Sequence, residues 1–335
     1  MIDIHNPEVH FAIDAVRQAS QLVAAIQHDL VTASLVKEDR SPVTVADFAS
    51  QAIVANRFSR FFPNEVLVAE EDASSLRLPQ FQDTLDKVVR YVQQIEPAST
   101  PQHICQWIDY GKGIPQSRYW TLDPIDGTKG FIRGDQYAIA LALIIDQQVQ
   151  IGVLGCPKLN QQADPDQNGP GAIFIAVRGE GTWSSALNNP TRFERLQVSR
   201  ISDPSQARLL RSFESGHTNV SQIDEFAQKL GLNHQPIRMD SQAKYAVLAA
   251  GKGDLLMRLL TPSHPNYREK IWDQAAGSII IEEAGGRISD LTGKPLHFLN
   301  ERSLIHNLGI LASNGYLHSI AIQTLQAIGA VPQQT

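Results

Sequence analysis

Apolar side chains recur at helical spacing along the first thirty residues of the chain. Asn6 is a favourable helix N-cap and Pro7 fits a first helical turn, so we predict a helix from there to about residue 30. The polar segment 37–47 then leads into a second predicted helix at about 47–61, and an amphipathic pattern predicts a third at 81–95.

Runs of apolar and β-branched residues, bounded by turn-forming residues, predict strands elsewhere in the first half. These predicted strands are 65–69, a strand near 120–122, 137–145, 149–155 and 172–177. The segments 96–118 and 158–171 are rich in Pro, Gln, Gly and Asn, so we predict surface loops there.

Strands and helices alternate in the second half of the chain, which favours α/β layering. The predicted strands are 208–213, 254–259 and 308–313, and the predicted helices are 221–231, 242–251, 273–285 and 314–328. A turn-rich stretch near 190–205 indicates a boundary, and we therefore predict two domains, 1–200 and 201–335.

Composition narrows the class of protein. The 335 residues are 42% hydrophobic and 19% charged, which is typical of a globular protein with two lobes around a cleft. A net charge of −6 argues against a nucleic-acid binder. Without an apolar signal core or a run of membrane length, we expect a cytoplasmic protein with no membrane partner. Cys105 and Cys156 fit no zinc or redox motif and should be buried or free thiols.

A segment around two aspartates carries the strongest chemical signal. Asp123 and Asp126 flank a Pro-Ile pair, and Gly127 and Thr128 follow at once. We expect Pro124 to end the preceding strand and the glycine to permit a sharp turn. Two carboxylates and a hydroxyl would then meet at one point, which is a typical donor set for Mg²⁺. Taken alone, the same residues are also those of an ordinary acidic turn.

Further acids lie where predicted elements begin or end. Glu70 and Glu71 follow the strand at 65–69, so they should reach a sheet edge as Asp123 and Asp126 do. Asp273 lies in the first turn of a predicted helix and Asp47 begins another. Each acid also has a purely structural interpretation, as a solvated charge run, a helix cap or a dipole partner.

Taken together, four segments resemble the inositol monophosphatase superfamily, a lithium-sensitive, magnesium-dependent group of phosphomonoesterases. They are Ser-Pro-Val-Thr-Val-Ala-Asp at 41–47, the Glu pair at 70–71, Asp-Pro-Ile-Asp-Gly-Thr-Lys-Gly-Phe at 123–131 and Ile-Trp-Asp-Gln-Ala-Ala-Gly at 271–277. The resemblance extends from about residue 7 to residue 325. One departure is Ala-Glu-Glu-Asp at 69–72, where family members often have Gly-Glu-Glu-Ser.

Within the superfamily, the chain resembles the 3′(2′),5′-bisphosphate nucleotidases, which hydrolyse adenosine 3′,5′-bisphosphate to AMP and phosphate. The segments that carry this narrower resemblance are Lys-Gly-Phe at 129–131, Gly-His at 216–217, Asp-Ser-Gln-Ala-Lys-Tyr at 240–245, Arg258 and Glu-Lys-Ile-Trp-Asp at 269–273. It implies a role in sulfur metabolism and the fold of a layered α/β/α/β/α sandwich, like that of inositol monophosphatase and fructose bisphosphatase.

The resemblance also implies roles for individual residues. Two or three Mg²⁺ ions would be bound by Glu70, Asp123, Asp126, Asp273 and the carbonyl of Ile125. Thr128 would orient the attacking water and Asp47 would polarise Thr128. The substrate would contact Gly127, Thr128, His217, Ser241, Lys244, Arg258 and Asp273.

The chemistry of a phosphate monoester is consistent with these roles. Its dianion repels a nucleophile, and paired cations can neutralise it while clamping the attacking and leaving oxygens. A second phosphate needs its own cations, for which Lys244 and Arg258 are candidates. We expect Lys244 and Ser241 to share one helical face. Taken alone, Lys244 or Arg258 could also be an ordinary surface charge.

Three alternatives stay open on the sequence alone. The same metal centre could serve a phosphatase of inositol or sugar phosphates. A phosphoaspartyl phosphatase also uses an Asp-Gly-Thr motif, but there one residue rather than two separates the aspartates. A non-catalytic binder of the bisphosphate is the third, although the intact set of acids argues against it. The sulfated nucleotide 3′-phosphoadenylyl sulfate is a second expected substrate, and we expect a monomer or weak dimer.

Overall fold

The computed structural model describes residues 2–31, 41–189, 192–213, 219–261, 264, 266–299 and 301–331. Helix α1, Pro7–Ile26, begins as predicted, with the Asn6 side chain accepting a hydrogen bond from the Glu8 amide at 2.9 Å. It continues as a single wider turn to Val31, which confirms the predicted length.

Helix α2, Ser41–Phe61, begins six residues before the predicted start at residue 47. The polar Ser-Pro-Val-Thr segment forms its first turn, where a proline is tolerated because the missing N–H has no partner there. Val45 and Ala46 are already fully buried, so the packed face of the helix starts before Asp47. The interpretation of Asp47 as a helix cap is therefore wrong.

Among the described residues, seven strands form one sheet in sequence order. The strands are β1 (Leu67–Ala69), β2 (Arg118–Asp126), β3 (Ala138–Ile145), β4 (Gln148–Cys156), β5 (Ala172–Val177), β6 (Gly181–Ala186) and β7 (Glu194–Leu196). Strand β1 pairs with β2 in parallel, and every other neighbouring pair is antiparallel.

Two helices follow β1, and only one of them was predicted. Helix α3, Gln82–Val92, lies within the predicted 81–95. Helix α4, Pro101–Tyr110, lies in the segment 96–118 that was predicted as a surface loop, so that prediction is wrong. The Thr100 hydroxyl caps it, and Ile104 and Ile108 are fully buried. The buried apolar face of this ten-residue helix is short, and the Pro and Gln residues around it made the helical pattern hard to recognise in the sequence.

A second sheet holds five strands of the described chain in the order β11-β12-β10-β8-β9. Its strands are β8 (Leu209–Arg211), β9 (Ile237–Arg238), β10 (Leu255–Arg258), β11 (Arg287–Ser289) and β12 (Ile310–Ser313). The remaining helices are α5 (Thr128–Arg133), α6 (Val220–Leu230), α7 (Ala243–Ala249), α8 (Ala275–Glu283) and α9 (His318–Ala327).

These elements stack in five layers. Helices α1 and α2 cover one face of the seven-stranded sheet, and α7 and α8 lie between the two sheets. Helices α6 and α9 cover the outer face of the five-stranded sheet. The predicted α/β/α/β/α sandwich is thus confirmed, while the division into domains at residue 200 stays a prediction.

Strand β3 shows how the sequence builds two cores from one sheet. Ile139, Leu141 and Leu143 point toward α1 and α2, whereas the alternating Ala140 and Ala142 face the middle helical layer. Small residues let α8 approach closely, and in neighbouring β4 a side chain on Gly152 would lie within 2.8 Å of the Ala276 carbonyl. The middle layer is thereby held close to the strands that carry the acids.

Cys105 and Cys156 are buried and free, as predicted. None of the helices in the described ranges combines the length and the apolar character that a membrane crossing needs.

Candidate active site

The two aspartates of the central motif lie in one strand, at a bulge. Strand β2 continues through Asp126, and its pairing with β3 skips from Asp123 to Asp126. Pro124 and Ile125 bulge out of the ladder, where a proline costs no hydrogen bond. The prediction that Pro124 ends the strand is therefore wrong. The bulge, rather than a loop, places both carboxylates at the end of the strand.

Gly127 then turns the chain into α5. Its φ of 92° is in the left-handed region, and a side chain there would lie 2.7 Å from the Ser241 Cβ. Thr128 is the first residue of α5, and its side chain is exposed toward the cavity described below. A glycine is thus required both for the turn and for the close approach of the segment before α7.

The second acidic pair lies beside the first because β1 is parallel to β2. Ala69 is opposite Leu122, and the Glu70 amide donates to the Leu122 carbonyl at 3.3 Å. Glu70 therefore emerges next to Asp123, as strands that end at a common edge require. The two carboxyl groups are close enough for the charge of Glu70 to raise the pKa of Asp123.

Asp273 reaches the same place from the middle helical layer. It lies in the turn that precedes α8, so the prediction of a first-turn helical position is wrong by two residues. Its charge interacts with Asp126 and Glu70 across the two halves of the chain.

Burial and mutual repulsion raise the pKa values of these acids. The pKa of Asp123 is well above the ordinary value because of burial first and then the charges of Glu70 and Asp126. Burial and Glu71 raise the pKa of Glu70 to about 7. Asp273 is raised well above normal by burial, although Arg258 opposes the shift. Ionised together, these groups destabilise one another unless cations are added.

Asp47 approaches this cluster from α2. It is nine-tenths buried, and burial followed by Glu71 and Glu70 raises its pKa well above the ordinary value. The structure describes both Asp47 and Thr128 but records no hydrogen bond between them. The proposed action of Asp47 on Thr128 stays a prediction.

The predicted substrate cations lie across the cavity. Lys244 is buried in α7 and donates from Nζ to the Ser241 carbonyl at 2.9 Å. Burial lowers its pKa to about 8 despite the nearby Asp126. Ser241 lies before the helix with a φ of 64°, so the prediction that it shares a helical face with Lys244 is wrong.

Arg258 ends β10 with its Nε 3.2 Å from a Glu269 carboxylate oxygen. Burial opposes its charge, but Glu269 and Asp273 outweigh burial and raise its pKa. His217, the remaining predicted substrate contact, lies outside the described residues.

One cavity of about 490 Å³ joins these groups. Its lining includes Glu70, Asp123, Ile125, Asp126, Gly127, Thr128, Ser241, Lys244, Arg258 and Asp273. Asp47 does not line the cavity but interacts with Glu70, which does. Every other predicted site residue that the structure describes lines the cavity.

The acids fit a hard divalent cation. In the described part of the chain, no three Asp, Glu, His or Cys side chains lie in positions from which they could already coordinate one metal ion. The carboxylates of Glu70, Asp123, Asp126 and Asp273 nevertheless lie close enough for their charges to raise one another's pKa values. The donors are all oxygens, as Mg²⁺ prefers, and their charge is otherwise incompletely balanced.

Arg302 contacts two acid-bearing segments, a role that sequence analysis did not identify. Its guanidinium donates to the Ala69 carbonyl, just before Glu70, and to the Gly113 carbonyl at 3.3 Å. It also donates to the Gly111 carbonyl at 3.5 Å and contacts the Trp272 ring, whose centroid lies 4.8 Å from Cζ. Only three-dimensional packing reveals the role, because Arg302 is remote from both segments in sequence.

A family model for the inositol monophosphatase family matches residues 6–330. The chain belongs to the inositol monophosphatase family. This confirms the resemblance and the expectation of a phosphatase, in a family whose enzymes are generally metal-dependent. Three curated relatives, all named 3′(2′),5′-bisphosphate nucleotidases, support the narrower resemblance.

The Candida albicans relative, 3′(2′),5′-bisphosphate nucleotidase 2, is 37% identical over 92% of this chain and 94% of its own length. The Schizosaccharomyces pombe relative is 38% identical over 96% of each chain. The rice relative is 38% identical over 95% of this chain and 93% of its own.

Solved structures confirm the fold of this inositol monophosphatase family member. Inositol monophosphatase II from Staphylococcus aureus gives a TM-score of 0.63 at 18% identity, covering 95% of this chain and 93% of its own. The inositol monophosphatase from Anabaena gives 0.61 at 21% identity, with 95% and 94% covered.

Proposed function

We propose that this protein hydrolyses the 3′-phosphate of adenosine 3′,5′-bisphosphate to give AMP and phosphate, and that it also accepts 3′-phosphoadenylyl sulfate. The observation that carries the proposal is the pairing, in one cavity, of an acid cluster with two cations, the buried Lys244 and the partly exposed Arg258. The names and similarity of the curated relatives support the same substrate class.

In this proposal Glu70, Asp123, Asp126, Asp273 and the Ile125 carbonyl hold two or three Mg²⁺ ions. Such ions would neutralise the phosphate dianion and lower the pKa of a nearby water. The protein contributes the arrangement of oxygen donors. Burial makes each carboxylate dependent on a cation for stable ionisation.

Thr128 is proposed to orient the attacking water from the start of α5. The water oxygen bonds to phosphorus, the bond to the ribose 3′ oxygen breaks, and that oxygen leaves with a proton. Asp47 acts behind this step as the acceptor of the proton, either through Thr128 once substrate orders the site or through an intervening water. Its raised pKa suits a group that must both take and return a proton.

Lys244 and Arg258 are proposed to bind the second phosphate, with Ser241 and, from outside the described residues, His217 completing the contacts to the nucleotide. An arginine can bind a phosphate through two parallel hydrogen bonds, whereas a lysine acts as a point charge. The two cations that line the cavity thus favour a substrate with two separated anionic groups over a simple monoester.

Phosphate release from a panel of substrates tests the proposal. The panel contains adenosine 3′,5′-bisphosphate, its sulfated form, inositol mono- and bisphosphates and fructose 1,6-bisphosphate, each with and without Mg²⁺. We expect the adenosine bisphosphate to give the highest kcat/KM, and only with Mg²⁺. A clear preference for an inositol or sugar phosphate would overturn the substrate assignment in favour of the alternative.

A substitution separates the nucleotide role from the common metal chemistry. Lys244→Ala should weaken use of the bisphosphate far more than use of a small monoester, because only the former has a second phosphate. Equal losses on both substrates would remove the nucleotide assignment and leave a general phosphatase. Binding without any phosphate release would instead favour a non-catalytic binder.

A further inference from the structure

Two buried glutamines, which neither the family resemblance nor the proposed mechanism uses, lie behind the acid cluster. Gln51 is completely buried in α2, one helical turn from Asp47. Its amide nitrogen donates to the Glu71 carbonyl at 2.7 Å and to the Ile108 carbonyl at 2.8 Å. Its oxygen accepts from the Glu71 amide at 3.0 Å. The Gln51 side chain thus hydrogen-bonds both the N–H and the carbonyl of Glu71, the residue after Glu70.

Gln242 makes an analogous set of contacts on the other side. It is 1% exposed, and its amide nitrogen donates to the Trp272 carbonyl at 3.0 Å. Its oxygen accepts from the Gly277 amide at 3.0 Å. These two bonds bracket the turn that carries Asp273. The backbone N–H of Gln242 also donates to the Asp126 carboxylate at 2.6 Å.

The held segments are those that carboxylate repulsion would separate. Glu70 and Asp273 belong to different layers, and the charge of Asp126 repels each of them. A neutral amide can hold a backbone segment by donating and accepting at once, without adding charge. A glutamate there would add to the repulsion, and a lysine would compete with a metal ion for the acids.

We propose that Gln51 and Gln242 are positioning residues that keep the Glu70 and Asp273 segments arranged for divalent cations before any cation binds. The inference rests on the proposed function, because it takes these acids as metal ligands. According to this inference, the two side-chain amides affect the affinity for the metal ion and not the rate of the catalytic step. Residues that orient metal ligands typically change affinity by about 10- to 100-fold when replaced.

The test compares Gln51→Met and Gln242→Met with a matched control, Asn314→Leu. Asn314 is also a completely buried amide with three hydrogen bonds, to the Ser199 hydroxyl, the Ile201 carbonyl and the Leu317 amide. It holds none of the acid-bearing segments. All three variants should lower the Tm, so stability alone does not distinguish them.

Metal affinity does distinguish them, and it is measured without substrate. Mg²⁺ titrations by calorimetry, and by the rise in Tm with Mg²⁺, should show about 10- to 100-fold weaker binding for both glutamine variants and unchanged binding for Asn314→Leu. In activity assays, saturating Mg²⁺ should restore most of the kcat of the glutamine variants. If either methionine variant is recovered unfolded, the shorter amide in Gln51→Asn or Gln242→Asn takes its place.

Unchanged Mg²⁺ affinity in both glutamine variants would overturn the inference and leave the proposed function intact. A kcat that stays low at saturating Mg²⁺ would also overturn it, because the residue would then act on chemistry. If the unaltered protein itself bound no Mg²⁺, the proposed metal site would fail, and the inference with it.

Discussion

The two sides of the cavity treat their charges in opposite ways. On the acidic side, burial raises the pKa of Glu70, Asp123, Asp126 and Asp273, and most of these acids are raised further by their neighbours. On the cationic side, Glu269 balances Arg258 within the protein. The protein therefore gives the Arg258 charge a counter-ion, although burial still lowers the pKa of Lys244, and it leaves its acids dependent on something else.

This difference explains why the two sides suit different ligands. An acid cluster that is unstable when ionised gains most from small mobile cations, which can enter between the carboxylates. A cation that already has a counter-ion binds a further anion moderately and can release it after reaction. The acidic side thus suits a resident metal, and the cationic side suits a substrate that must leave.

Removing one acid from the acidic side should have the largest effect on activity. Asp123→Asn should lower kcat by about 1,000-fold, equivalent to about 4 kcal/mol of transition-state stabilisation, because a metal ligand is lost. The same change should raise the Tm of the metal-free protein by about 1–3 °C, because a repelled buried charge is removed. Steady-state kinetics and thermal melts in EDTA measure the two effects.

Asp254→Asn is the matched control for this experiment. Asp254 is also completely buried, but it is paired with Arg208, whose Nε lies 2.8 Å from its carboxylate. Replacing a compensated buried acid leaves the arginine without its partner and should lower the Tm. If both substitutions lowered the metal-free Tm equally, the acidic side would not be under the repulsion described above.

The second prediction concerns the step proposed for Thr128. Thr128→Val should reduce kcat by about 100-fold with little change in Mg²⁺ affinity, because it removes a hydroxyl near the attacking water and no metal ligand. Thr128→Ser keeps the hydroxyl and should retain most activity. Kinetics at saturating Mg²⁺ measure both. Equal losses in the two variants would show that the shape of the threonine side chain, and not its hydroxyl alone, matters at this position.

The acids could be predicted from the sequence because their signals are local. Asp123, Asp126 and Thr128 lie within six residues of one another, and Glu70 directly follows an apolar strand. The five-layer fold was also predictable, since the motif set matches a known family over most of the chain. Even so, the bulge at Pro124 was mistaken for a strand end, because bulge and turn use the same residue types.

The supporting residues could not be predicted because their partners are distant in sequence. Gln51 bonds to Glu71 and Ile108, and Arg302 reaches back to Ala69. A glutamine in a helix carries no sequence signal of burial, so only the packed structure distinguishes it from a surface residue.

The third prediction sharpens the contrast through pH. Because the pKa of Glu70 is about 7 in the metal-free fold, Mg²⁺ must displace a proton below that pH. Mg²⁺ affinity should therefore rise about tenfold per pH unit up to pH 7 and then level off. Calorimetry at pH 5.5 to 8.5 measures it, and proton uptake or release is read from the buffer dependence of the heat.

The stability of the metal-free protein should show the opposite slope. The folded pKa of Glu70 lies above its unfolded value, so its contribution is fully present below about pH 4.5 and is lost as pH rises through 7. The metal-free Tm should fall across this window relative to a Glu70→Gln variant, and Mg²⁺ should reverse the difference, because it stabilises the protein that keeps the ligand more. A Mg²⁺ affinity that did not depend on pH would contradict the coupling of the acids.

The smallest expected effect lies on the cationic side and runs in the other direction. Burial lowers the pKa of Lys244 to about 8, so the lysine loses its charge as pH rises through that value. KM for adenosine 3′,5′-bisphosphate should then rise by about fivefold between pH 7 and 9, because a charged donor contributes about 1 kcal/mol more than a neutral one. Lys244→Arg keeps its charge throughout this range and should flatten the profile.

The acidic side would thus bind its ligand better at high pH, and the cationic side worse. A KM for the bisphosphate that is equally flat in both proteins would show that Lys244 does not bind the second phosphate.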